Sequence, residues 1–216
     1  MTSNHCIICG VDEAGKGPVL GPMVVAAVGC TDMEDLSSLG VMDSKVLSAS
    51  RRESLFIQIQ KNFPYSVAIR TATDIDQLRK VMTMNEITAR AHAEVAANLQ
   101  CKVVYLDACD VNEERYGHTV GGFIGKPCQI ISKHKADRMF PVVSAASIVA
   151  KVIRDGLIKD LEKEFGMIGS GYPSDPVTVT FLKGYIQDHG YPPSCARTSW
   201  ATVKNLMQHG GQKTLF

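Results

Sequence analysis

Four acidic residues carry the chemistry this sequence could do. Asp12 and Glu13 stand side by side in "GVDEAGKGPVLGP" (Gly10 to Pro22), Asp107 lies near the end of "KVVYLDAC", and Asp137 falls in "KHKADRMFPVVSAAS". Carboxylates gathered in one place repel each other strongly unless a cation sits among them. Oxygen donors of this kind suit magnesium or manganese. The matching reaction is two-metal phosphodiester hydrolysis, in which one ion activates water and the other stabilises the leaving oxygen. Taken singly, each acid has a plainer reading. An Asp at a strand end serves as a turn or cap residue, and Asp137 suits a helix N-cap. Spacing by itself does not bring the four together.

The stretch around Asp12 also comes close to a phosphate-binding loop, G-x-x-x-x-G-K-[ST], with Gly10, Gly15 and Lys16 in register. The physics argues against that loop. Gly17 stands where a hydroxyl should meet magnesium, and Asp12 and Glu13 would repel a triphosphate. Such a loop must open a helix, whose N-terminal amides hold the anion. Here Pro18 leads instead into "VLGPMVVAAVGC", a β-branched run bounded by Gly and Pro.

The elements that must position these residues follow from periodicity. Residues 6–12 and 19–30 read as two strands joined by the Gly-rich turn. Ser50 and Glu53 have capping-box spacing ahead of a helix with Leu55, Ile59 and Phe63 on one face. "YSVAIRTA" predicts a third strand and residues 85–99 a helix. "KVVYLDAC" predicts a buried fourth strand and residues 128–132 a fifth. A long helix is expected over 144–165, ended by Gly166, with two more near 176–188 and 199–208. Three strands in hairpin style, then strands alternating with helices, point to a mixed sheet with helices on its faces.

Composition narrows the classes. The 216 residues fit one domain with at most a small appendage, and 45% hydrophobic residues suffice for a sizeable core. The net charge of +1 excludes a uniformly basic polyanion binder, so any nucleic-acid surface must be a local patch. No apolar run is long enough to span a membrane, and "MTSNHCIICGVDE" lacks a basic start and a cleavage site, so a cytoplasmic location is the expectation. Cys6 and Cys9 form a C-x-x-C, but residues three apart in a strand face opposite ways and cannot easily share a metal. Most of the seven cysteines read as buried reduced thiols.

Six motifs, "GVDEAGKGPVLGPMVVAAV", "DSKVLS", "VVYLDACDVNEERY", "HKADRMFPVVSAASIVAKVIRD", "GSGYPSDP" and "RTSW", occur in that order between about residues 7 and 203. Together they resemble ribonuclease HII, the type 2 ribonuclease H, in its archaeal-like branch. The resemblance implies an α/β ribonuclease H-like fold: a five-stranded mixed sheet in the order 3-2-1-4-5, flanked by helices, with a small C-terminal helical extension. It divides the chain into a catalytic domain over 1–190 and a C-terminal helical segment and tail over 191–216. It implies an endoribonuclease that cuts the RNA strand of RNA–DNA hybrids and cuts 5′ of ribonucleotides embedded in duplex DNA. Asp12, Glu13, Asp107 and Asp137 match the family's metal-binding acids, for Mg2+ or Mn2+.

The same resemblance places Gly15, Lys16 and Gly17 on the turn whose main chain approaches the ribose 2′-hydroxyl, the group that separates RNA from DNA. Lys16 stands where the family has Arg, which keeps the charge and loses the planar fork. Tyr172 matches a tyrosine that packs on the neighbouring deoxyribose, and Ser44 and Lys45 match a backbone-phosphate contact. Lys151 and Arg154 could form a charged outer face or part of a nucleic-acid groove. Lys133, His134 and Lys135 cluster beside Asp137, and His134 is the one histidine close in sequence to an acidic candidate. Arg197 and Trp200 read as anchors for the C-terminal piece. Gln212, Leu215 and Phe216 have part of the spacing of a sliding-clamp-binding peptide, set against a frayed terminus as the plain alternative. A monomer is expected. Competing functions are a same-fold nuclease for other nucleic-acid structures, a non-catalytic hybrid-binding module and a nucleotide triphosphatase.

Overall fold

The computed structural model describes residues 7–42 and 47–210. The chain opens with β1 (Ile8–Ala14) and β2 (Met23–Cys30), then the short α1 (Glu34–Ser37) and α2 (Ala49–Asn62). Next come β3 (Tyr65–Arg70), α3 (Ala72–Leu78), α4 (Met84–Leu99), β4 (Val103–Asp107), α5 (Glu113–Ile124) and β5 (Gln129–Lys133). A single 3-10 turn, Ala136–Arg138, precedes the long α6 (Pro141–Phe165), and α7 (Pro176–His189) and α8 (Ala201–Gly210) follow. The strands form one sheet in the order β3-β2-β1-β4-β5, as expected. β1 runs antiparallel to β2 and parallel to β4, and β4 runs parallel to β5, so the sheet is mixed. Among the described residues no helix is long and apolar enough to cross a membrane.

The helix limits follow local chemistry. Ser48, not Ser50, caps α2, its side chain accepting from the Arg51 N–H at 3.2 Å. α6 starts on Pro141, where a missing N–H costs nothing, and ends before Gly166, whose φ of +77° closes the turn. α3 and α5 were not expected from periodicity. α3 has seven residues, too few to display a repeat, yet Thr71 and Asp74 form a full capping box at its start. α5 contains Gly117, Gly121 and Gly122, poor helix formers, and is fixed instead by an Asn112 cap and a left-handed Gly125.

The described residues pack as two units. The first comprises 7–14, 24–42, 47–69 and 84–153, and includes the sheet. β2 is buried at every residue, as a strand covered on both faces must be. In β1 the side chains alternate between faces, so Gly10 and Asp12 share one and Val11 and Glu13 the other. Gly10 marks the closest approach: a Cβ there would lie 2.4 Å from the Val142 carbonyl carbon. That glycine lets the start of α6 lie directly on β1.

The second unit comprises 15–23, 70–83 and 154–210. Its core gathers Val19, Leu20, Ile168, Leu182, Cys195, Ala196 and Val203, with Phe165, Phe181 and Trp200 packed against them. Asp76, on α3, accepts from the Thr198 and Ser199 N–H groups at 2.6 and 3.0 Å. Among the described cysteines, Cys9, Cys30 and Cys195 are buried free thiols, Cys109 and Cys128 are free and only partly buried, and Cys101 is disulfide-bonded, a departure from the expected reduced thiols; Cys6, of the C-x-x-C, lies outside the described residues.

Candidate active site

Three of the four predicted acids meet in the first unit. Carboxylate oxygens of Asp12, Asp107 and Asp137 all lie within 4.8 Å of one another. The sheet explains the first two. Val11 pairs with Leu106 in the parallel β1–β4 ladder, and one further step sets Asp12 abreast of Asp107 on the same face. Asp137 comes from the 3-10 turn before α6 rather than from a helix cap, since Lys135 stands at the N-cap of that turn. The Ala136 N–H donates to Asp107 at 3.2 Å and ties the turn to the β4 end. Asp12 is 6% exposed and Asp137 1%.

Negative charge is concentrated here. Burial, then the neighbouring charges of Glu13 and Asp107, push the Asp12 carboxyl well above its usual range. Opposing this, the Glu13 N–H donates to Asp12 at 2.7 Å and Ser147, on α6, adds a side-chain hydrogen bond. The donor set is all carboxylate oxygen, which fits a hard divalent cation such as magnesium or manganese.

Glu13 is not one of the three acids within 4.8 Å, although its charge bears on Asp12. It follows Asp12 on β1 and so faces the opposite side of the strand. There its Oε2 lies 2.9 Å from Nε2 of His92 on α4. The histidine that meets a candidate acid is therefore His92, not His134, the one near Asp137 in sequence. The His134 ring lies 3.3 Å from the carbonyl oxygens of both Ala108 and Val111, and neighbouring Lys133 pairs with Glu113.

The predicted turn sits in the second unit with Tyr172 and the C-terminal motif. Arg197 is fully buried, and its guanidinium donates to the carbonyls of Gly15 at 2.6 Å, Lys16 at 2.9 Å and Gly21 at 3.0 and 2.9 Å. Trp200 Nε1 donates to the Gly17 carbonyl at 3.1 Å. Burial pulls Arg197 down to about 9, which still leaves it charged at neutral pH. In a trans peptide the N–H points opposite to the C=O, so the N–H groups of Lys16 and Gly17 point away from Arg197. Gly15 has φ +84°, and a Cβ on it would fall 2.2 Å from Arg154 Nε. Only glycine fits.

Tyr172 is 42% exposed, and its Cε1 lies 3.7 Å from where a Cβ on Gly17 would stand. Arg154 is buried and so is not an outer-face charge. It is 7% exposed, with Nε on the Pro22 carbonyl at 3.3 Å and its guanidinium carbon 5.9 Å from the Tyr172 ring centre. Arg197 and Trp200 do anchor the C-terminal piece, and what they hold is the main chain of the turn. Ser44 and Lys45, and the tail residues Gln212, Leu215 and Phe216, lie outside the described residues. Sequence reasoning missed His92, Ser147 and the bracing role of Arg154. A histidine amid the alanines of α4 was the one available signal.

A family model, Ribonuclease HII, matches residues 9–203. The ribonuclease HII of Methanospirillum hungatei JF-1 is 62% identical over 97% of this chain and 99% of its own length. Among solved structures, ribonuclease H2 of Pyrococcus horikoshii OT3 superposes with a TM-score of 0.89 at 35% identity, covering 95% of this chain and 99% of that one. The Archaeoglobus fulgidus ribonuclease HII, solved as a complex with PCNA, gives 0.85 at 42% identity, covering 90% and 95%.

Proposed function

The chain belongs to the ribonuclease HII family, and from that premise we propose a division of labour among its residues. It is a metal-dependent endoribonuclease that acts on RNA–DNA hybrids and on DNA containing ribonucleotides. The observation that carries the residue-level reading is the convergence of Asp12, Asp107 and Asp137 on one point. With Glu13 they form the ligand set for Mg2+ or Mn2+. Bound there, the divalent ions supply an activated water and neutralise charge on the leaving oxygen. The protein's own part is to hold the carboxylates close together at the ends of β1 and β4, so that no rearrangement is needed when the reaction begins.

Selection of the ribonucleotide falls to the Gly15-Lys16-Gly17 turn. Its carbonyls are held by Arg197 and Trp200, which leaves the opposite, amide side of the peptides to meet the 2′-hydroxyl. The bracing comes from Arg197, so Lys in place of the family's Arg at position 16 does not loosen the turn. Tyr172 beside Gly17 offers a ring for the adjacent deoxyribose, and Ser44 and Lys45 contact the phosphate backbone. Cleavage then falls on the 5′ side of the ribonucleotide.

Tyr172→Ala tests this division. It removes a packing surface and no metal ligand. A single embedded ribonucleotide is followed by deoxyribose, whereas a continuous RNA strand offers ribose there. Loss of a stacking partner costs about 1–3 kcal/mol, or roughly ten- to a hundredfold in rate when the contact is made in the transition state. That loss is expected on the single-ribonucleotide duplex, with a smaller one on the full hybrid. Equal losses on both substrates would reduce Tyr172 to general packing.

The partner of a relative suggests one more role. The Archaeoglobus fulgidus enzyme was solved with PCNA, and a sliding clamp is a partner for this chain as well. The docking segment would be the tail, through Gln212, Leu215 and Phe216. Deletion of 211–216 should abolish capture of the enzyme on immobilised clamp, and unchanged capture would move the contact elsewhere. A monomer in the cytoplasm, meeting its substrates on replicated DNA, completes the reading.

A further inference from the structure

We propose that His92 is a positioning residue for Glu13, holding one oxygen of that carboxylate so that the other is presented to a divalent ion. The proposal rests on the reading of Glu13 as a metal ligand. His92 is 0% exposed, and the acid it meets is 79 residues away in the chain. Its Nε2 lies 2.9 Å from Glu13 Oε2, and its Nδ1 lies 3.1 Å from the Tyr116 hydroxyl on α5. The two rings meet edge to face, with centres 5.6 Å apart and planes at 84°. Tyr116 is itself buried, at 2% exposed.

With a neutral ring, these contacts fit one arrangement of protons. A metal-binding carboxylate has no proton to give, so Nε2 carries the hydrogen of that bond. In a neutral ring Nδ1 is then the acceptor, and the Tyr116 O–H is the donor that fits it. Burial pushes the Tyr116 phenol up, so it keeps its proton. The chain Tyr116 to His92 to Glu13 therefore runs in one direction and fixes the ring in place.

Glu13 has a specific need for such a partner. Asp12 is short and is held from the α6 side by Ser147 and by the Glu13 N–H. Glu13 has one more rotatable bond and faces the other side of β1, where α4 and α5 supply the partners. Left to itself, its side chain would spread over several rotamers, and that freedom would be lost on binding an ion. Oε2 is engaged by His92, and the second oxygen, Oε1, is not used by this bond. Histidines that orient metal ligands, and groups that orient them in turn, typically change metal affinity or activity by about 10- to 100-fold when removed.

The test measures Mn2+ binding to the metal-free enzyme without substrate, from the electron paramagnetic resonance signal of the free ion, alongside cleavage kinetics. His92→Phe should weaken Mn2+ by about 10- to 100-fold and lower kcat at subsaturating Mn2+, with KM for the nucleic acid unchanged. His92→Gln, whose amide N–H can donate to Glu13, should recover most of the affinity. Adding His92→Phe to Glu13→Gln should weaken binding no further than Glu13→Gln alone. Wild-type affinity in His92→Phe, with weakened binding in Glu13→Gln, overturns the role of His92 and leaves Glu13 a ligand. Wild-type affinity in Glu13→Gln removes the reading of Glu13 itself. Should His92→Phe not fold, the 15N shifts of His92 in the unaltered protein decide: protonation on Nε2 supports the proposal, and protonation on Nδ1 alone overturns it.

Discussion

Asp107→Asn should lower cleavage of a full RNA–DNA hybrid and of a single-ribonucleotide duplex alike, by about a thousandfold at saturating Mg2+. The substitution is nearly isosteric, and the remaining side-chain oxygen still accepts from the Ala136 N–H. What disappears is one negative charge of the three that lie within 4.8 Å of one another. Charge stabilisation by metal in a phosphodiester transition state is worth several kcal/mol. A loss of about 4 kcal/mol corresponds to three factors of ten in rate. Stability should move the other way. In the metal-free protein Asp107 helps push Asp12 well above its usual range, so removing that charge relieves repulsion and should leave the variant at least as stable as the unaltered enzyme. Mg2+ should raise the melting temperature of the unaltered enzyme and should do so much less in Asp107→Asn. A variant that binds metal and cleaves both substrates as well as the original would remove the metal site from this position.

Arg197→Met should destabilise the fold by roughly 3–5 kcal/mol, read from the midpoint of urea unfolding. The side chain is fully buried and makes hydrogen bonds to the carbonyls of Gly15, Lys16 and Gly21. Methionine fills much of the volume but donates nothing, so buried acceptors are left without partners at about 1–3 kcal/mol each. Arg197→Lys should recover only part of the loss, because one ammonium cannot reach carbonyls that the guanidinium fork spans together. The functional effect should be selective. With the turn unbraced, preference for a ribonucleotide over deoxyribonucleotide at the cut site should weaken, while the metal cluster, built from other residues, still binds Mn2+. A loss of Mn2+ affinity equal to the loss of activity would show that the turn and the acids are not separable in this way.

Local pattern alone reached several features. The acids at the ends of β1 and β4 were visible as strand-terminal residues, because a buried β-branched run followed by Asp is a short-range signal. The end of α6 at Gly166 and the uniformly apolar β2 were legible for the same reason. Six motifs in a single order carried the family, and through it the sheet order and the candidate acids, three of which meet. α3 and α5 escaped notice because one is too short for a repeat and the other is held by its caps, against its glycines.

Other features depend on residues far apart in the chain that no periodicity links. Asp12 stands abreast of Asp107 only because β1 and β4 pair in parallel at one register, Val11 against Leu106. A slip of one residue would turn Asp107 to the other face of the sheet. Glu13 finds His92 across 79 residues, and Gly15 finds Arg197 across 182. The opposite facing of Asp12 and Glu13 follows from the strand's two-residue period, which the sequence by itself determines. Which helix waits on each face is set by packing: Gly10 admits α6 on one side, and α4 brings a buried histidine to the other. A side chain's type limits the bonds it can form, but its partner is decided by the tertiary contacts that exclude water around it.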